Sequence, residues 1–330
     1  MTLGHTTAHA LLITPQFFGY EQEIELALIN FGFKVDLLPD RPFNSPFMKA
    51  VLRFRPELVG GDRTCDHFFA QHIEGLEQNK YSIIIVIQGE GISVNILNRL
   101  RSLYPQAKMV FYLWDSIENK PFTQRKLSFF DYCSTFDPVD AKRYGLNFRP
   151  LFYSNRFDRS ADTAYTYDLS FIGTMHSDRY KVVHAILNQL QPDARTFVYL
   201  YLQASWMYDF RRIFTNTING AKREDFQFTP LDKAAVQAIF FSSGAVLDIE
   251  HPNQRGATMR TIEALGSRRK LVTTNETLYD YDFYNPLNIQ IVDRQVPRLD
   301  RNFLQSPYQP IPEEIRRKYS ISEWISEICG

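Results

Sequence analysis

Short apolar runs of strand length, each followed by a segment with helical spacing, recur along this chain and leave it few folds to choose from. His9–Thr14 is such a run and stops at Pro15; Tyr20–Phe31 follows, with Ile24, Leu28 and Phe31 on one helical face and Gly32 as a stop. Phe33–Leu38 reads as the next strand. Two helices are predicted around Phe47–Phe54 and Asp66–Gln78. The alternation then continues with a strand at Tyr81–Ile87, a helix at Ser93–Leu103 and a strand at Lys108–Leu113. A helix at Pro121–Ser128, a strand at Tyr132–Phe136 and a short helix at Pro138–Tyr144 complete this half. Strands and helices in this order build a parallel sheet covered by helices, an α/β unit.

The rhythm breaks at Tyr153–Tyr165, a polar stretch that reads as a linker, and then resumes. Strands are predicted at Tyr167–Ile172, Thr196–Leu202, Gly244–Ile249, Arg269–Thr273 and Asn288–Val292. A helix starts near Asp178, and two more occupy Leu231–Phe240 and Thr258–Leu265. The tail Pro312–Ile328 is helical in pattern and offers Ile315, Tyr319, Trp324 and Ile328 for docking. The expected organisation is therefore a first domain over 1–152, a second over 166–311, and a terminal segment over 312–330 that packs back on the first. A length of 330 residues suits two domains of this size.

Composition narrows the partners. The chain holds 37 basic and 37 acidic residues, so its formal net charge is zero, which argues against binding nucleic acid by general phosphate attraction. Its three cysteines, Cys65, Cys133 and Cys329, form neither a disulfide framework nor a CxxC pair, and a reducing compartment is expected. No apolar run approaches the ~18 residues that span a bilayer. A cytoplasmic protein is the expectation, with room for peripheral contact at the inner face of a membrane.

Two open parallel sheets bind ligands at the carboxyl ends of their strands, and here those edges are expected to face each other across a cleft. Pro15-Gln16-Phe17-Phe18-Gly19 stands where a dinucleotide fingerprint would be, and no GxxxxGK[ST], HExxH or GxSxG occurs anywhere. The histidines make no spaced ligand set, so neither a metal nor a cofactor is expected.

The segment Ala245–Asn275 carries the most chemistry. A strand ends at Asp248 or Ile249, and a polar loop follows, Glu250-His251-Pro252-Asn253-Gln254-Arg255-Gly256. A helix then begins at Ala257 or Thr258. Gly256 permits close backbone approach, and the amides of Ala257–Arg260 are placed to bind phosphate oxygens. Arg260 and Glu263, three apart, are neighbours on one helix face, where they suit a diphosphate and ribose hydroxyls respectively, or simply each other. The next strand ends at Thr274-Asn275, at the same sheet edge.

The words Leu247-Asp248-Ile249, Gln254-Arg255-Gly256, Met259-Arg260-Thr261-Ile262-Glu263-Ala264 and Lys270-Leu271-Val272-Thr273-Thr274-Asn275, extended by Asp282-Phe283-Tyr284-Asn285 and Asn288-Ile289, carry a resemblance. This stretch resembles the donor half of GT-B glycosyltransferases. It is most similar to bacterial capsule and lipopolysaccharide biosynthesis proteins related to the spore-coat maturation glycosyltransferases. The resemblance implies two Rossmann-like domains and a nucleotide-sugar donor on the second. It implies that Glu263 holds the ribose, and that Gly173-Thr174 and Arg179 contact phosphate or sugar. Where many of these enzymes carry a further glutamate, this chain has Arg255. The donor-binding set is thus Gly173, Thr174, Arg179, Gln254, Arg255, Gly256, Thr258, Arg260 and Glu263.

On the first domain, Gln88-Gly89-Glu90-Gly91 and Trp114-Asp115-Ser116 follow buried strands. An inverting sugar transfer needs a base for the acceptor hydroxyl, and Glu90 and then Asp115 are the candidates. The plainer alternatives are a charge at the start of the Ser93–Leu103 helix for Glu90 and a turn or cap for Asp115. The expected activity is metal-independent sugar transfer to a surface glycan, as in capsule or lipopolysaccharide, on a lipid-linked acceptor. The rivals are an inactive binding or scaffold protein of the same fold and a nucleotide-sugar epimerase.

Overall fold

The computed structural model describes residues 8–42, 61–74, 77, 80–158 and 165–330. The helix expected around Phe47–Phe54 lies outside the described residues. The chain divides into two compact units, Met1–Pro150 with Ile321–Gly330, and Leu151–Ser320.

In the first unit the described elements are β1 (His9–Thr14), α1 (Tyr20–Phe31), β2 (Lys34–Pro39), α2 (Gly61–Glu74), β3 (Ile83–Ile87), α3 (Val94–Leu103) and β4 (Lys108–Leu113). A 3₁₀ segment (Pro121–Phe129), β5 (Tyr132–Thr135), α4 (Pro138–Tyr144) and β6 (Asn147–Phe148) follow. All strand pairs are parallel, in the order β2-β1-β3-β4-β5-β6. The five residues of β3 are all buried, because a parallel strand is covered on both faces; hence its unbroken run of isoleucine and valine. Ser93 caps α3 by accepting the Ile96 amide, and Asp137 caps α4 through the amides of Val139 and Asp140. Pro121–Phe129, expected as an α-helix, is a 3₁₀ segment instead.

The second unit holds β7 (Tyr167–Thr174), α5 (Arg179–Leu187), β8 (Thr196–Tyr201), α6 (Trp206–Phe214), β9 (Phe226–Gln227), α7 (Lys233–Phe241) and β10 (Ser243–Asp248). It continues with α8 (Met259–Gly266), β11 (Lys270–Thr273), a 3₁₀ turn (Glu276–Asp280), β12 (Ile289–Ile291), α9 (Arg301–Gln305) and α10 (Glu313–Lys318). Its parallel order is β12-β11-β10-β7-β8-β9, the Rossmann order. Strand order therefore reverses between β7 and β10 here, and between β1 and β3 in the first unit. These two reversals are where each sheet offers a crevice.

The stretch from Tyr153, read as the start of a linker, is packed structure. Tyr153 is fully buried; its amide donates to Tyr319 O (2.8 Å), its hydroxyl accepts from Arg316 (3.0 Å), and its ring lies against Gly266. A β-carbon on Gly266 would sit 2.5 Å from that ring. The last helix, α11 (Ile321–Cys329), belongs to the first unit, where the buried Trp324 meets Tyr112 edge to face at 4.8 Å.

Candidate functional site

At the β7/β10 reversal one guanidinium joins the two strand ends. Arg179, the first residue of α5, donates through Nε (2.8 Å) and Nη2 to the carbonyl of Ile249, just past β10, and through Nη1 to that of Thr174, the last residue of β7 (2.6 Å). Gly173 makes this possible. A β-carbon there would lie 3.0 Å from Arg179 Nη1 and 2.8 Å from the Phe171 ring. Thr174 thus takes part through its carbonyl.

Other cations crowd the same edge. Arg294, after β12, holds Asp178 in a two-pronged pair and reaches Glu250 at 2.7 Å, while Thr274, after β11, donates to the other oxygen of Glu250 (2.6 Å). His176 and His251 lie with ring centroids 5.3 Å apart. Burial, then Arg260 and Arg294, push the Arg179 guanidinium down to about 10, against the pull of Asp248 and Glu250. The imidazole of His176 is pushed down to about 3, by burial first and then by Arg179, His251, Arg294 and Arg211. Burial raises the Glu250 carboxyl although Thr274 and Arg294 work the other way. Burial first, and neighbouring cations second, thus favour the neutral forms of both His176 and Arg179.

The helix start beyond β10 is more committed than its sequence implies. Thr258, expected among the donor contacts, is the N-cap of α8: its hydroxyl accepts the Thr261 amide (3.0 Å) and donates to Asp248. Gly256 is buried, and its carbonyl takes the Asn275 side chain (3.0 Å), so it lines no open surface. Of the amides over Ala257–Arg260, that of Ala257 is taken by the Tyr281 hydroxyl (3.0 Å). Those of Thr258 and Met259 carry no hydrogen bond among the described residues. Gln254 closes a turn onto His251 O (2.8 Å), and the Arg255 side chain is exposed.

Arg260 and Glu263 bond each other at 2.8 Å. Glu263 is 2% exposed, and Arg260 lies over the Phe240 ring at 5.2 Å. The carboxylate is therefore closed by its partner. A residue one turn into a helix leans back towards the N-terminus, and that direction brings it onto Arg260.

In the first unit the loop after β3 turns through the left-handed region, where Gln88, with φ of 57°, is an uncommon non-glycine and Gly89 follows with the same φ. Gln88 is buried, and its Oε1 accepts the amides of Trp114 (3.2 Å) and Asp115 (3.1 Å), which fixes the loop after β4. Its Nε2 is buried without a hydrogen-bond partner among the described residues. Glu90 is engaged by Arg41 (2.8 Å) and Lys120 (2.5 Å), so both of its carboxylate oxygens are committed to ion pairs. Asp115 uses Oδ1 to hold Ser116 N and Asn119 Nδ2, each at 3.0 Å, while its Oδ2 takes no partner among the described residues. Phe17 and Phe18, after β1, are exposed; the Phe17 ring lies 6.3 Å from that of Trp114 and 4.6 Å from that of Phe18.

Spacing along the chain does not single out Glu250, Arg294, Asp178, His176 or Gln88. What they share is position: each lies within a few residues of a strand's carboxyl end, and reading every such loop is the rule that finds them.

No family model matches the chain, and no curated protein matches it. Solved structures do. A glycosyltransferase from Rickettsia africae superposes over 98% of this chain and 97% of its own, at 10% identity and a TM-score of 0.58. HepE from Anabaena, in complex with UDP-glucose, matches over 96% and 98% at 10% identity and 0.57. OtsA, in its apo form, matches over 98% and 99% at 12% identity and 0.60. These likenesses establish the architecture: α/β, two Rossmann-like units, the GT-B fold.

Proposed function

We propose that this protein is a glycosyltransferase that takes a sugar from a nucleoside diphosphate donor and passes it to a glycan acceptor. The observation that carries the reading is the cationic edge at the β7/β10 reversal, where Arg179 joins both strand ends, together with the amides of Thr258 and Met259, which take no hydrogen bond among the described residues. Guanidinium groups and helix amides stabilise a departing diphosphate without a metal ion. In this reading the diphosphate draws Arg260 off Glu263, and the freed carboxylate accepts the ribose hydroxyls. HepE was crystallised with UDP-glucose, which makes uridine diphosphate sugars the first donors to try.

The acceptor belongs on the first unit, against Phe17, Phe18 and Trp114. Its hydroxyl oxygen attacks the anomeric carbon, the bond to the diphosphate oxygen breaks with its electron pair leaving on that oxygen, and the proton passes to Asp115 Oδ2. Gln88 holds Asp115 in place, and Glu90 steadies the loop through Arg41 and Lys120. A lipid-linked surface glycan, as in capsule or lipopolysaccharide assembly, is the acceptor class proposed, handled at the inner face of the membrane.

A nucleotide-binding protein without transfer is the second reading, favoured by the closed Arg260–Glu263 pair and by Arg255. Incubation with radiolabelled UDP-glucose and bacterial glycan extract separates them. Label moving into glycan supports the transferase; binding without transfer supports the second reading.

A further inference from the structure

Gln88, at the β1/β3 reversal, combines two unfavourable states. It is 1% exposed, and its Oε1 accepts the amides of both Trp114 and Asp115. Two backbone donors fix which end of the side-chain amide is oxygen, so the group cannot be flipped to spare its nitrogen. Nε2 remains a buried donor with no partner among the described residues, a costly condition for a polar group. The backbone is strained as well. Of the four described non-glycine residues with positive φ, Phe18 (50°) and Gln88 (57°) stand in the two loops that flank this reversal. An aromatic pair spans the same place. Phe17 follows β1, Trp114 follows β4, and β3 runs between those strands. Their rings, 6.3 Å apart and tilted by 52°, therefore meet across the end of β3 that Gln88 continues.

We propose that Gln88 is a specificity residue for an uncharged sugar. The sugar ring enters between Phe17 and Trp114, and one of its hydroxyl oxygens accepts the hydrogen bond of Nε2. Access is gained as the exposed Phe17 ring rotates, its amide staying on Glu21 Oε2 (3.1 Å).

The chemistry of the crevice selects that ligand. Nε2 only donates, so its partner must offer an acceptor oxygen. The electron-rich faces of aromatic rings suit the C–H face of a sugar, and one well-placed polar group sets its orientation. A purely apolar ligand would leave Nε2 as unsatisfied as before. An anion is disfavoured, since the cations of this edge are already bound: Arg41 to Asp40 and Glu90, Lys120 to Glu90, and Lys126 to Gly89 O. The Asp115 carboxylate repels negative charge besides. Calling this sugar the acceptor rests on the glycosyltransferase reading, whereas its binding to the first unit does not.

The test is saturation-transfer NMR on the full chain in the absence of nucleotide. The probes are the methyl glycosides of glucose, galactose, mannose and N-acetylglucosamine, with methyl glucuronide as the charged comparison and p-cresol as the aromatic one. Wild type is expected to bind at least one neutral glycoside more tightly than either comparison. Gln88→Glu keeps an oxygen for the Trp114 and Asp115 amides but replaces the donor, and is expected to weaken that binding about tenfold or more. Should Gln88→Glu fail to fold, Phe17→Ala decides, with about tenfold weaker binding expected at an unchanged melting temperature. Titration with UDP reads the second unit separately, so a chain that binds sugar and no nucleotide would overturn the transferase reading and leave this one standing. The proposal itself is overturned by any of three results. These are no neutral glycoside bound by wild type, glucuronide or p-cresol bound more tightly than every neutral glycoside, or a folded Gln88→Glu or Phe17→Ala that binds as tightly as wild type.

Discussion

Gly173 and Arg179 act as one feature, since the missing β-carbon is what lets the guanidinium reach both strand ends. Gly173→Ala is expected to lower the affinity for a nucleoside diphosphate about tenfold while costing about 1–3 kcal/mol of stability, read by calorimetry and by denaturant unfolding. The two carboxylates of the first unit separate cleanly. Asp115→Asn should lower kcat by about 10²–10⁴ and leave donor binding intact. Glu90→Gln should leave turnover near wild type and cost about 1–2 kcal/mol, because Arg41 and Lys120 lose their shared partner; turnover lost with Glu90→Gln and kept with Asp115→Asn would reverse the assignment. His176 adds a pH signature. Between pH about 6.5 and about 3 the unfolded chain binds a proton that the folded imidazole refuses, so stability falls as pH drops through that window, by at most about 1.4 kcal/mol per unit. Urea unfolding of wild type and His176→Asn across this range should show the shallower slope in the variant. At this scale the sequence is legible where partners are local. The Arg260–Glu263 pair follows from a spacing of three, whereas the Glu250–Arg294–Asp178–Thr274 cluster draws on four separate elements, and no spacing connects them.

Among the elements, unbroken apolar runs and capping residues are the reliable signals. His9–Thr14, Lys108–Leu113 and Pro138–Tyr144 form where their patterns place them, because burial on both faces or a cap at Asp137 leaves no competing structure. Truncating Ile85 in the middle of β3 is expected to cost about 2–5 kcal/mol, measured by denaturant unfolding, since its neighbours are packed on every side. Helix α6, absent from the sequence expectations, does carry an apolar stripe at helical spacing, Trp206, Phe210, Ile213 and Phe214, but the fold turns that stripe to solvent and buries Tyr208 on the other side. Gly256 and Thr258 teach the reverse. Both look poised for a ligand in sequence, yet the fold spends them on the helix start, through Asn275 and Asp248.

On the scale of the whole molecule, the α/β class and its division into two units are legible from alternation and length, because each sheet must bury both faces. The places where the chain passes between units, after Pro150 and after Ser320, are not, since Tyr153 and Arg316 are drawn into the second unit by a contact between residues 163 apart in the chain. The claim on which the functional account rests is that a nucleoside diphosphate binds at the β7/β10 edge through Arg179. Titration calorimetry of UDP, GDP, CDP and dTDP against wild type and Arg179→Ala tests it directly. Saturable one-to-one binding of at least one nucleotide, weakened about tenfold or more in the variant, is the predicted result; heats indistinguishable between the two proteins, or none with any nucleotide, would contradict it.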